Sequence, residues 1–220
     1  TSLNLDFTYC QLLTDESLTT LSTQGLQHLS NLISINLNFT KCIKFTDQRI
    51  PILASQGFPT LTKLTSFSLN LSYCDKLTDQ AILSLISYGL KSLISLTSLS
   101  LDHSLSDGLT NKSLEYIASY LPKFLSSLKL SFKSCPQISG DGLTSLVAHG
   151  LPPLLTFLDL NFMCTQLTDQ SIEELASKGL QNLQHLNSLN LNFGGCEDCT
   201  DQGLIHLSSQ GLKFLTKLTS

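Results

Sequence analysis

The stretch LNLDFTYCQLLTD, Leu3–Asp15, decides the fold of this chain because the chain writes it again. It returns as INLNFTKCIKFTD from Ile35 and as FSLNLSYCDKLTD from Phe67. Each copy can be anchored on the first apolar residue of its alternating run. The anchors are then Leu3, Ile35, Phe67, Leu99, Leu128, Leu158 and Leu189, in steps of 29 to 32 residues. An internal period of roughly 20–50 residues is the mark of a stacked repeat. The seven units account for all 220 residues, so the chain reads as a single domain, 1–220, without a linker.

Each unit has the same parts. Strict alternation, as in Leu3, Leu5, Phe7, predicts a strand with one buried face. A Cys follows at 10, 42, 74, 135 and 196; Cys164 is read as the same position one place early, and unit four has Ser106 there. An apolar residue and usually Thr-Asp come next, as at Thr14-Asp15, Thr46-Asp47, Thr78-Asp79, Thr168-Asp169 and Thr200-Asp201. Thr is a good helix N-cap and Asp suits the positive end of the helix dipole, so a helix is expected to start there. Triplets such as Ile82, Leu85, Ile86 and Leu114, Ile117, Ala118 form its apolar stripe. Gly25, Gly57, Gly89, Gly150, Gly179 and Gly211 read as left-handed C-terminal caps. Pro51 falls about one turn into the second helix, where it should either remove a backbone hydrogen bond or delay the helix start. A unit of this size cannot bury its apolar faces alone, but stacked copies can. Because strands pack closer together than helices, the stack curves with a parallel sheet inside: an α/β solenoid.

The segments LNLDFTYCQLLTDESLTTL and LNLNFGGCEDCTDQGLIHL resemble leucine-rich repeats. The recurring LxFxxCxxLTDxxLxxL core is similar to the cysteine-containing subfamily of F-box adaptor proteins, and the repeat length is closer to that of ribonuclease-inhibitor-like repeats. The resemblance covers all seven units. It implies a horseshoe with the sheet on the concave face, helices on the convex face and a protein-binding role. No F-box is present in this sequence, so membership of a ubiquitin ligase does not carry over.

Composition narrows the function classes. The net charge is -4 and Arg49 is the only Arg, which argues against nucleic acid, since Arg supplies most bidentate phosphate and base contacts. No apolar run approaches the roughly 18 residues that span a membrane, and no signal peptide is visible. The chain does not begin with Met, and the only Met is Met163, so it is read as a processed product or a piece of something longer. Seven Cys cannot all pair, and a core-facing column of them favours free thiols in a reducing, intracellular, cytoplasmic setting.

No reactive constellation stands out. Cys196 and Cys199 have the spacing of a zinc half-site, but they occupy the Cys and apolar slots of the repeat, so core roles are expected. Asp102-His103-Ser104 offers three triad letters, but on a strand His103 points inward and its neighbours outward. Sequons at Asn38, Asn70 and Asn111 read as chance matches, because glycans on adjacent strands about 4.8 Å apart would collide. No cofactor, metal site or catalytic residue is assigned, and the chain is not read as an enzyme.

What remains is surface. One outward row of the strands reads Asn4, Asn36, Ser68, Ser100, Lys129, Asp159, Asn190; the next reads Asp6, Asn38, Asn70, Asp102, Ser131, Asn161, Asn192. These rows are the expected partner-binding face of a protein–protein interaction scaffold. They carry none of the aromatic or Arg residues common at hot spots; Tyr9 and Tyr73, just past the strand ends, are the nearby aromatic anchors. The closing LTKLTS also occurs at Leu61–Ser66, directly before a strand, so the last residue stops in phase with the first. The chain is therefore either a window on a longer array or a building block that stacks head to tail into a filament.

Overall fold

The computed structural model describes residues 1–219. Seven five-residue strands, β1 (Ser2–Asp6), β2 (Ser34–Asn38), β3 (Ser66–Asn70), β4 (Ser98–Asp102), β5 (Ser127–Ser131), β6 (Phe157–Asn161) and β7 (Ser188–Asn192), form one sheet in chain order. All neighbours are parallel, and equivalent residues pair: Leu5 lies beside Leu37, Leu37 beside Leu69 and Leu69 beside Leu101. The helices follow on the other side: α1 (Asp15–Thr20), α2 (Ile50–Ile52), α3 (Asp79–Ser84), α4 (Asn111–Tyr120), α5 (Gly140–Ala148), α6 (Asp169–Glu174) and α7 (Asp201–His206). The fold is the α/β leucine-rich-repeat solenoid that the period requires. Its core is a set of columns running the length of the stack, such as Ile35, Phe67, Leu99, Leu128 and Leu158, all fully buried.

Helix starts follow the Thr-Asp reading in most units. The side chains of Thr78 and Thr200, with Thr110 and Ser139, each accept a backbone N–H from the first turn, and Thr168 forms a capping box with Ser171. Thr14 makes no such bond. Thr46 does not head its helix at all. Pro51 sits in the first turn of α2, where its missing N–H costs nothing, and so the helix begins only at Ile50.

The glycines overturn the C-cap reading. In units one, two, three, six and seven the α-helix widens into a π-helical turn ending in Gly: Leu21–Gly25, Leu53–Gly57, Leu85–Gly89, Leu175–Gly179 and Leu207–Gly211. None of these glycines has positive φ; Gly150 alone among the six does, at +84°. A π turn accommodates an extra residue in a helix. The longer units carry it, whereas the two shortest, four and five, keep the plain helices α4 and α5. The glycines serve close packing instead. A Cβ on Gly89 would lie 2.7 Å from Phe58 Cδ2 and 3.1 Å from Ala54 Cβ in the preceding unit. On Gly211 it would lie 3.2 Å from the backbone Cα of Ala176. On Gly25, in the first unit, it would meet only Leu21 Cδ1, at 3.6 Å. Gly89→Ala should therefore cost about 1–3 kcal/mol through overpacking. Gly25→Ala should cost less than about 1 kcal/mol, and urea denaturation of the two variants side by side measures the difference.

Candidate functional site

The sheet presents its outward rows to solvent, and hydrogen bonding divides them into two kinds of residue. In the second row the side-chain oxygen turns back onto the chain. Asp6 accepts from Thr8 N at 2.9 Å, Asn38 from Thr40 N at 3.1 Å, Asn70 from Ser72 N at 2.9 Å and Asp102 from Ser104 N at 3.0 Å. Asn161 and Asn192 do the same for Met163 N at 3.2 Å and Gly194 N at 3.1 Å. These Asx turns end six of the seven strands; β5 ends on Ser131, whose hydroxyl bonds that of Ser104 instead. The hydroxyl and amide of Thr8 hold the Asp6 carboxyl below its ordinary range. Asp102 also takes the hydroxyls of Ser72 at 2.8 Å and Ser104 at 2.6 Å. These side chains are therefore committed to the fold as well as facing outward.

The first row is freer. Asn36 donates to Asn4 at 2.9 Å. Asp159, nearly buried, holds Lys129 at 3.0 Å and accepts from Asn190 at 3.1 Å. Between Asn36 and Lys129 the row falls to Ser68 and Ser100. The short side chains leave a polar depression of about 280 Å³, bordered also by Asn38, Asn70 and Asp102.

Three residues past each Asx residue lies a column that strand alternation did not reveal. Tyr9, Lys41, Tyr73, Leu105, Ser134 and Cys164 all have φ between +54° and +64°, and Gly195 has +73°. Non-glycine residues pay roughly 1–2 kcal/mol for this conformation. Each is held there by its own N–H, which donates to the next unit: Tyr9 to Thr40 O at 2.8 Å, Lys41 to Ser72 O at 2.8 Å and Tyr73 to Ser104 O at 3.0 Å. The column brings Lys41 Nζ over two aromatic rings, 5.0 Å from the centre of Tyr9 and 5.6 Å from that of Tyr73. Aligning the repeats would have shown Tyr, Lys and Tyr in one slot, but not that the backbone turns all three outward.

The same geometry corrects the place of Cys164. It belongs to the left-handed column and is exposed, whereas Thr165 fills the buried slot of the Cys column. In that slot Cys42, Cys74, Cys135 and Cys196 donate to the carbonyls of Phe7, Phe39, His103 and Phe162, each one unit earlier, at 3.3–3.5 Å. Burial pushes the Cys42 and Cys135 thiols up to about 11 and Cys74 up to about 12. Cys199 is likewise raised to about 11 by burial and donates separately to Leu167 O at 3.6 Å. The two thiols of CEDC are thus aimed at different carbonyls, Phe162 O and Leu167 O, rather than at a shared site. Cys10 and Cys164 should react with a disulfide reagent at once, and Cys42, Cys74 and Cys135 only as the protein unfolds, as mass spectrometry of the labelled peptides can follow.

The Asp of Thr-Asp also does more than face the helix dipole. Asp15 accepts the amide and hydroxyl of Thr46 at 2.8 and 2.6 Å, and Asp47 those of Thr78 at 2.9 and 2.6 Å. Asp79 binds Thr110 at 2.9 and 2.7 Å, and Asp169 binds Thr200 at 2.8 and 2.5 Å. Asn111 replaces the Asp in unit four and links to Ser139 through both amide atoms, at 2.9 and 2.8 Å. Of the sequon residues, Asn111 thus has its amide nitrogen bonded to a neighbouring unit, and Asn38 and Asn70 are adjacent in the sheet.

His103 faces the core, as the alternation requires, 99% shielded and stacked on Phe132 with ring centres 6.0 Å apart. Its Nε2 has no partner, and burial lowers its pKa to about 4. Ser104 and Asp102 bond to each other, away from the ring. Between about pH 6.5 and 4 the unfolded chain binds a proton that the folded chain refuses, so stability falls as pH falls. The loss amounts to roughly 3 kcal/mol across that window. His103→Phe, matching Phe39 and Phe132 in the same column, should flatten that part of a stability-versus-pH curve measured by urea unfolding.

No protein-family model matches the chain, and no curated protein matches it in sequence. Solved structures do. A chain from the Rad7–Elc1 complex of yeast is 19% identical over 100% of this chain and 58% of its own length, with a TM-score of 0.49. The leucine-rich repeat-containing protein LegL7 from Legionella pneumophila is 14% identical over 100% of this chain and 72% of its own, also with a TM-score of 0.49. The chain thus spans under two thirds of the first of these. Likenesses at this level stand beside the strand register without adding to it. On that register, with equivalent leucines side by side in every unit, the chain has the fold of a leucine-rich-repeat solenoid.

Proposed function

We propose that this chain is a non-enzymatic scaffold that holds another protein against the concave face of its sheet. The observation that supports it is the division of labour on that face. The second row is tied into the turns, whereas Asn4, Asn36, Lys129 and Asn190 are exposed and hold only one another or Asp159. A seven-strand wall of hydrogen-bonding side chains, notched at Ser68 and Ser100, suits the backbone and polar side chains of a polypeptide. The thiols of Cys42, Cys74 and Cys135, raised by burial, fit a scaffold with no covalent chemistry, and with all seven cysteines free we place the protein in the cytoplasm. No helix is long and apolar enough to cross a membrane among the described residues.

The test follows from the same division. Asn36→Arg with Ser68→Arg fills the notch without touching an Asx turn. The pair should leave the melting temperature within a few degrees and weaken a concave partner by more than about tenfold. Asn38→Arg in the second row would lose a strand-ending turn and so confound binding with stability. Purified chain captured with its partner, wild type against the double variant, reads the result. Unchanged capture by the double variant sinks the concave reading.

A further inference from the structure

The loops that join strands to helices in units one to three carry a surface unlike the rest of the molecule. Tyr9, Leu12, Ile43 and Tyr73 are all exposed, Tyr9 at 63% and Leu12 at 83%. Lys41 lies sandwiched between the two tyrosines, and the exposed Lys44 and Lys76 occupy the slot of Leu12 in the next two units. Against these three cations the same loops set one exposed acid, Asp75. The equivalent loop of unit seven is opposite in character, with Gly194, Gly195, Glu197 and Asp198 exposed. A chain of net charge -4 thus concentrates positive charge and exposed aromatic surface on one end of one rim.

Resting on the scaffold reading above, we propose that this rim is the anchoring subsite, and that it takes an acidic polypeptide segment bearing an apolar or aromatic side chain. Three features carry this. Tyr is among the residues that dominate binding energy, and two rings already held apart by a lysine lose little freedom on binding. The lysines are spaced along the stack by strand separations of about 4.8 Å, which matches carboxylates distributed along an extended chain. The tyrosines and the lysine keep a strained backbone, at φ of 64°, 60° and 63°, in a column where unit seven has Gly. A nucleic acid fits less well. The loops hold no Arg, the side chain best suited to bidentate phosphate contacts.

Random peptides displayed on phage and selected on the purified chain supply the probe, and a synthetic copy of the winning peptide is then measured by fluorescence anisotropy. The enriched sequences should be acidic with an aromatic or aliphatic residue, and the affinity should fall with added salt. Lys41→Glu should weaken the peptide by about tenfold or more. Tyr9→Gly with Tyr73→Gly is the sharper variant. Gly relieves the left-handed backbone, so the melting temperature should rise while affinity drops about tenfold. A merely structural pair of tyrosines would show the rise without the drop, and that result overturns the proposal. So does a peptide lost with Asn36→Arg/Ser68→Arg but unchanged by the rim variants; the scaffold reading then stands and the rim falls. Oligo-dT that binds as tightly as the peptide and competes with it overturns the proposal in favour of nucleic acid. Self-association sensitive to Lys41→Glu, seen by sedimentation, overturns it in favour of a second copy. A selection that enriches nothing removes the scaffold reading and this proposal together.

Discussion

Every structural feature of this protein depends on the hydrogen bonding between equivalent positions one repeat apart. The ladder of the sheet does not stop at the strand ends. Phe7 N still donates to Asn38 O at 2.8 Å, and Tyr9 N to Thr40 O at 2.8 Å. Cysteine thiols then point back to the carbonyls of the previous unit, and Asp carboxylates reach forward to the amide and hydroxyl of the next Thr. A buried or half-buried backbone group without a partner costs free energy on the scale of a whole hydrogen bond. Stacking in register satisfies each of these groups with the same atoms every time. This is why the slots for Asn, Cys and Thr-Asp recur while the residues between them drift.

The ladders also decide what is left for function. A side chain that closes a turn or clamps the next helix cannot be altered freely, whatever direction it faces. Asn38 and Asn36 are two residues apart on one strand, and only Asn36 is spared that duty. The surface open to specialisation is therefore the first sheet row and the outward tips of the loops. Both vary along the stack, from Asn through Ser to Lys in one and from Tyr and Lys to Gly in the other.

Irregular units show how the stack absorbs variation. Units four and five drop residues and lose the π turn, and their helices run longer in the plain α form. Where unit five has Gly140 instead of the clamping Asp, Thr168 turns to Ser171 within its own helix and forms the capping box. His103 enters the phenylalanine column as a neutral ring, its unpaired nitrogen tolerated because burial disfavours the charged form. Each substitution keeps the column filled and changes only how the local polar groups are satisfied.

The one-dimensional pattern was sufficient for the period, the parallel in-register sheet, the buried leucine columns, the inward His103 and the delayed second helix. These follow from local steric rules and from alternation, which operate on neighbours in the chain. It was right for Gly150 and misleading for the other five glycines, whose left-handed reading was sound for an isolated helix end and wrong where, as at Gly89, the helix ran on through a π turn against the preceding unit's Phe58 and Ala54. It misplaced Cys164 by one slot, because nothing local distinguishes a buried thiol from one on a left-handed turn. It did not reveal that Asp15, Asp47, Asp79 and Asp169 clamp the next unit, or that Lys41 is poised between Tyr9 and Tyr73. Those are contacts between residues about thirty positions apart, and only packing one repeat against another brings their atoms within reach.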